Sequence, residues 1–194
     1  MSNQEIKNCI VTPGFPASVE VSSNPKTRTF DKHWIPQFNK NLSAAGIPSE
    51  TAQLPEAWYP DYDNLKAAFD KYDVNESTVL VGHSGGNAFL VRWLGETKTK
   101  IAKLILVAPW KIAEPGDELR EKLYTYPIDE SIQERVGEIV MFTSDNEMDE
   151  GKESLKIYQA ALGGEVIELK QQGHYILDHM GTEDFPELLD AVIA

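Results

Sequence analysis

Apolar positions along this chain fall into two kinds of run. "NCIVTPGF", "STVLVG", "AKLILVAPW" and "GEIVMFTS" are short and barely alternate, as strands covered on both faces do. Between them lie segments whose apolar residues recur at helical spacing: "HWIPQFNKNLSAAG", "DYDNLKAAFDKY", "GNAFLVRWLGE", "KESLKIYQAALGG" and "FPELLDAVIA". Punctuation supports the division. One helix is expected to begin after Pro36 and stop at Gly46. Another pairs Leu65 with Phe69 and carries acidic residues in its first turn. Pro186 stands near the start of the last. "SETAQLP" is a weak strand stopped by Pro55, and "EVIELKQQGH" is a final strand.

Strand and helix therefore alternate through most of residues 1–194. That order predicts one α/β domain: a mainly parallel sheet between two helical layers, joined by right-handed crossovers. The stretch from Lys111 to Val136 breaks the order, with two prolines and many charges between two strands. It reads as an excursion over the C-terminal edge of the sheet, either a small cap or a surface connection.

Composition narrows the function. Eighteen basic residues oppose 31 acidic ones, a net charge of −13 with no basic stripe. Nucleic-acid binding would work against that field and is not expected. No apolar run approaches the roughly 18 residues of a membrane span. The start, "MSNQEIKNCIVTPGFP", lacks a basic segment followed by a long apolar one, so no secretory signal is expected. Cys9 has no cysteine to pair with, which fits a reducing, cytoplasmic setting. The sequons at Asn41 and Asn75 are then incidental.

In a fold of this kind, ligands bind outside the carboxyl ends of the strands. One strand ends there in Gly82-His83-Ser84-Gly85-Gly86 and leads straight into a helix. This is the G-x-S-x-G pattern, a sharp turn that exposes a serine hydroxyl. The helix start offers backbone N–H groups to a developing oxyanion. The segment lacks the Lys-Ser/Thr of a P-loop and the G-x-G-x-x-G of a dinucleotide site. A serine needs a base. Of the four histidines, His83 lies inside the turn and His33 starts a helix beside Trp34. His174, in "QQGHY" after the last strand, is preferred to His179, five residues on. The loop after "EIVMFTS" supplies Asp145, Glu147 and Asp149, any of which can orient the imidazole. The order serine, acid, histidine is that of α/β-hydrolases.

The chain resembles the small single-domain serine α/β-hydrolases of the YdeN and retinoblastoma-binding-protein-9-like family. The resemblance is carried by "VTPGFP", "HW" at residues 33 and 34, "VLVGHSGG", "LILVAP", "IVMFTSDNE" and "GGEVIELKQQGHY". It implies a compact hydrolase core, a Ser-acid-His triad, no metal or other cofactor, and no settled substrate. The family usually has Asp-Pro in the acid loop, where this chain has "TSDNEMDE". Gapless matching to the family through the strand and His174 puts Glu147 at the acid position, with Asp145 as the alternative. The expected activity is cleavage of a small-molecule ester or amide through an acyl-enzyme. Ser84 would attack, His174 would serve as base, and the N–H groups of Gly85 and Phe15 would hold the oxyanion. Phe15, His33, Trp34 and Trp110 are expected to line the acyl pocket. The competing reading is a weak or inactive hydrolase fold that binds a protein partner, since a fold does not guarantee activity.

Overall fold

The computed structural model describes residues 5–18, 23, 33–113 and 115–194. Residues 1–4, part of the segment read for a leader, lie outside that set, as does residue 114 within the 111–136 stretch. Six strands are described: β1 (Asn8–Thr12), β2 (Ser49–Thr51), β3 (Thr78–His83), β4 (Ile101–Val107), β5 (Val136–Ser144) and β6 (Glu165–Leu169). They form one sheet in the order β2-β1-β3-β4-β5-β6, every pair parallel. The helices described from end to end are α1 (Trp34–Ala44), α2 (Tyr62–Phe69), α3 (Gly85–Thr97), α4 (Glu118–Tyr124), α5 (Asp149–Leu162), α6 (Leu177–Met180) and α7 (Pro186–Ile193). A 3₁₀ turn at Glu130–Glu134 precedes β5.

The unalternating runs are buried on both faces because helices cover both. On one side Ile10, Leu80, Leu104, Leu106 and Met141 pack with Phe69, Phe89, Trp93 and Tyr158 of α2, α3 and α5. On the other, Val11, Val81, Ile105, Val107 and Phe142 pack with Trp34, Phe38 and Leu42 of α1 and with Leu188 and Val192 of α7. Successive side chains of a strand point to opposite faces, so each central strand feeds both cores. The result is the three-layer α/β fold expected from the alternation.

Several element boundaries differ from expectation. Helix α1 begins at Trp34, two residues before Pro36. A proline is tolerated there because the N–H groups of a helix's first turn have no intrahelical partner. The last strand stops at Leu169, and the residues from Lys170 to His174 turn away from the sheet. The 111–136 stretch carries α4 and the 3₁₀ turn. Asp129 fixes its far end: Lys98 Nζ reaches Asp129 Oδ2 at 2.7 Å and Arg135 Nη2 does so at 2.9 Å. Lys98, Ser131 and Arg135 together hold the Asp129 carboxyl well below the usual carboxylate range.

The sheet order also locates the site. From β1 the chain steps outward to β2, then returns past β1 to place β3 on its other side. In open α/β sheets ligands bind outside the carboxyl ends of the strands at such a reversal.

Candidate active site

Ser84 lies at that end of the sheet, directly after β3 and at the N-cap of α3. Its backbone, at φ 51° and ψ −125°, lies in a region that residues with a side chain rarely adopt and that costs of order 1–3 kcal/mol. Surrounding bonds hold it there. Ser84 N donates to Val107 O at 3.0 Å, and Ser84 O accepts from Asn87 N at 3.1 Å. The Asn87 amide Nδ2 donates to both Ser84 O (3.1 Å) and Val107 O (3.0 Å), pinning the turn to β4. Gly82 is a glycine because Asn87 occupies its side: a Cβ there would lie 2.2 Å from Asn87 Oδ1. Gly86 lets α3 abut the end of β1, since its Cβ would lie 2.6 Å from Pro13 O.

His174 Nε2 is 2.8 Å from Ser84 Oγ, and His174 Nδ1 is 3.0 Å from Glu147 Oε2. The carboxylate accepts at Nδ1, so that nitrogen carries the imidazole proton and Nε2 is left to accept from the serine hydroxyl. Glu147 is 5% exposed. Its other oxygen accepts from Met148 N at 2.8 Å, and Gly151 gives it room, since a Cβ there would lie 2.8 Å from Glu147 Cδ. Of the acids expected in this loop, Glu147 meets the imidazole. Asp145 Oδ1 instead accepts the backbone N–H of Gln171 at 2.7 Å. That bond, with those from Asn146 and Ser144, lowers the Asp145 pKa. Asp149 begins α5.

The His174 loop is held at nearly every backbone group. Gln172 N donates to Ser144 Oγ (2.9 Å), and Gly173 N donates to Asn146 Oδ1 (2.8 Å). His174 N donates to His179 Nδ1 at 3.0 Å, so the alternative histidine supports the loop rather than meeting the serine. His83 Nε2 is 2.9 Å from His174 O. A carbonyl only accepts, so His83 must carry its proton on Nε2. Its Nδ1 is buried without a partner among the described residues, and burial pushes its pKa well below the ordinary value. Tyr175 O accepts from Trp34 Nε1 at 3.1 Å, and Tyr175 Oη donates to Thr143 O at 2.5 Å.

The expected pocket residues divide. Trp110 lies beside His174, its ring 5.3 Å from the imidazole in an edge-on arrangement. Phe15 is half-buried at the Ser84 turn: a Cβ on Gly85 would lie 2.8 Å from Phe15 Cδ2. His33 and Trp34 are both fully buried, with His33 between Trp34 and His83 at ring distances of 5.7 and 5.0 Å. The indole is committed to Tyr175 O, so the pair packs beneath the His174 loop. The roles of Asn87, Asn146 and His83 escape the sequence pattern, because each acts by bonding a main-chain group far away in the chain. The asparagine after "SGG" is the one local hint.

Comparison with known proteins bears on the fold and the family. No curated protein sequence matches the chain. Solved structures do. The ydeN gene product of B. subtilis superposes with a TM-score of 0.81 at 21% identity, over 96% of this chain and 97% of that one. A putative YdeN-like hydrolase from Pectobacterium atrosepticum gives 0.66 at 18% identity, over 97% and 90%. Est1E from Butyrivibrio proteoclasticus, solved with ferulic acid bound, gives 0.65 at 13% identity, over 97% and 87%. At such identities the likeness is one of fold. The family described as "Serine hydrolase" matches residues 26–193, most of the chain. The chain belongs to the serine hydrolase family.

Proposed function

We propose that the protein hydrolyses small carboxylic esters through an acyl-enzyme on Ser84, with His174 as general base and acid and Glu147 as the group that orients it. One observation carries the reading: the continuous chain Ser84 Oγ–His174–Glu147 at 2.8 and 3.0 Å. His174 Nε2 takes the hydroxyl proton as Oγ attacks the ester carbonyl carbon. The carbonyl π electrons move to oxygen, giving a tetrahedral oxyanion. The N–H of Gly85 is one of the first-turn donors of α3 that have no intrahelical acceptor. With the N–H of Phe15 it receives the oxyanion. Collapse expels the alkoxide, which takes the proton from His174. Water then repeats the sequence on the acyl-enzyme and frees the acid.

Glu147 holds the proton of Nδ1 and stabilises the imidazolium formed in each half-reaction. Trp110 shields the imidazole on one side. The ester preference draws on Est1E, which shares the fold and was solved with ferulic acid. Amides, with a poorer leaving group, are the slower substrates in this reading.

The partner is thus a small molecule. The setting we propose is the cytoplasm, supported by the single buried thiol of Cys9. Among the described residues no helix is long and apolar enough to cross a membrane. A panel of p-nitrophenyl acyl esters and aminoacyl amides, assayed with wild type and Ser84→Ala, tests the reading. Turnover of at least one ester that vanishes in Ser84→Ala is expected. Equal rates in both proteins would refute it.

A further inference from the structure

We infer that Arg120, on the 111–136 excursion, is a positioning residue that fixes the oxyanion-binding backbone. This rests on the reading of Phe15 N–H as an oxyanion donor. The loop after β1, "PGFP", has two prolines without N–H groups and hence few donors with which to tie itself down. Arg120 ties it from outside. Its Nη2 donates to Pro16 O at 2.6 Å and to Trp58 O at 3.2 Å, bridging two loops. The planar guanidinium suits that task because its donors sit in a fixed fork.

Arg120 is itself held. Its side chain is 16% exposed, and Nη1 pairs with Asp117, the N-cap of α4. Tyr124, one turn further along α4, is buried, and the charge of Arg120 acts on its hydroxyl. Its hydroxyl borders the nucleophile turn: a Cβ on Gly85 would lie 2.5 Å from Tyr124 Oη. The end of α4 is fastened in turn by Lys111 Nζ, which donates to Tyr124 O (2.8 Å) and Tyr126 O (2.7 Å). One face of α4 therefore touches both segments that supply the oxyanion N–H groups, Phe15-Pro16 through Arg120 and Gly85 through Tyr124. The excursion braces these segments from above, as the strand ends do from below.

Arg120→Gln and Arg120→Lys should be compared with wild type on a p-nitrophenyl ester that wild type turns over, with rates counted per fluorophosphonate-titrated serine. The expected kcat of Arg120→Gln is lower by about tenfold or more, within the ~10²–10³ that losing an oxyanion donor outright costs. KM should stay within about twofold. Affinity for phenylboronic acid, whose tetrahedral adduct on Ser84 occupies the oxyanion site, should fall by the same factor as kcat. Arg120→Lys should recover part of each loss. An unchanged kcat per titrated site, or a loss confined to KM, would overturn the inference. A third variant replaces Phe15 by its α-hydroxy analogue and so removes only the N–H. Full activity in that protein would remove the oxyanion reading of Phe15 itself. Low activity there beside a normal Arg120→Gln would overturn only the role of Arg120.

Discussion

Glu147 Oε2 lies 3.0 Å from His174 Nδ1, while Asp145, two residues earlier, bonds the Gln171 backbone instead. Strand β5 ends at Ser144, and the chain turns before α5 begins at Asp149. The extra methylene of glutamate spans the remaining distance to the imidazole. Glu147→Gln should lower kcat for ester hydrolysis by up to roughly 10⁴, through loss of tautomer control. Asp145→Asn keeps an oxygen for the Gln171 N–H and should stay close to wild type. Parallel kinetics on the two variants, with circular dichroism to confirm folding, checks the assignment; the reverse ranking would make Asp145 the acid.

His179 accepts the His174 N–H through Nδ1. The two histidines should therefore fail differently. His174→Ala removes the base and should cost roughly 10⁴ or more in kcat. His179→Ala leaves the base present on a less constrained loop, so its loss should be far smaller. Steady-state kinetics of the pair separates a base from a loop support; a larger loss at His179 would contradict the geometry.

How much of this was legible in the sequence follows from where each signal lies. The strands announced themselves because both faces are covered, so alternation was erased in "TVLVGH" and "IAKLILV". The serine turn was legible because its glycines answer local crowding at Asn87 and Pro13. Glu147 required the family spacing, since three acids share one loop and only tertiary placement separates them. "HW" reads as a pair of pocket residues, and nothing local in it announces the contacts with Tyr175 and His83, remote in the chain. The tie from Arg120 to Pro16 spans 104 residues and leaves no periodic trace.

His33 should make stability fall in mild acid. Burial, then the nearby His174, lowers its pKa from 6.5 to about 3, and among the described residues neither ring nitrogen has a hydrogen-bond partner. His83, packed against it, is lowered in the same direction. The unfolded chain takes up protons near pH 6.5, whereas folded His33 does so only near 3. Its contribution is therefore complete above about pH 6.5 and is lost as pH falls from there toward about 3. Each such histidine adds a slope of up to about 1.4 kcal/mol per pH unit. Urea midpoints at pH 7.5, 6.0 and 5.0 should decline more steeply in wild type than in His33→Leu. Equal slopes would show that His33 is not held neutral by the fold.

The central claim is that Ser84 is an activated nucleophile, and covalent capture tests it most directly. Wild type should be incubated with a fluorophosphonate at neutral pH, and the adduct mass and site read by peptide mass spectrometry. One adduct per chain, on Ser84, is expected, with fluoride expelled as Oγ attacks phosphorus. It should be absent in Ser84→Ala and greatly slowed in His174→Ala. A folded wild-type protein that stays unlabelled, or one labelled equally well after Ser84→Ala, would contradict the account.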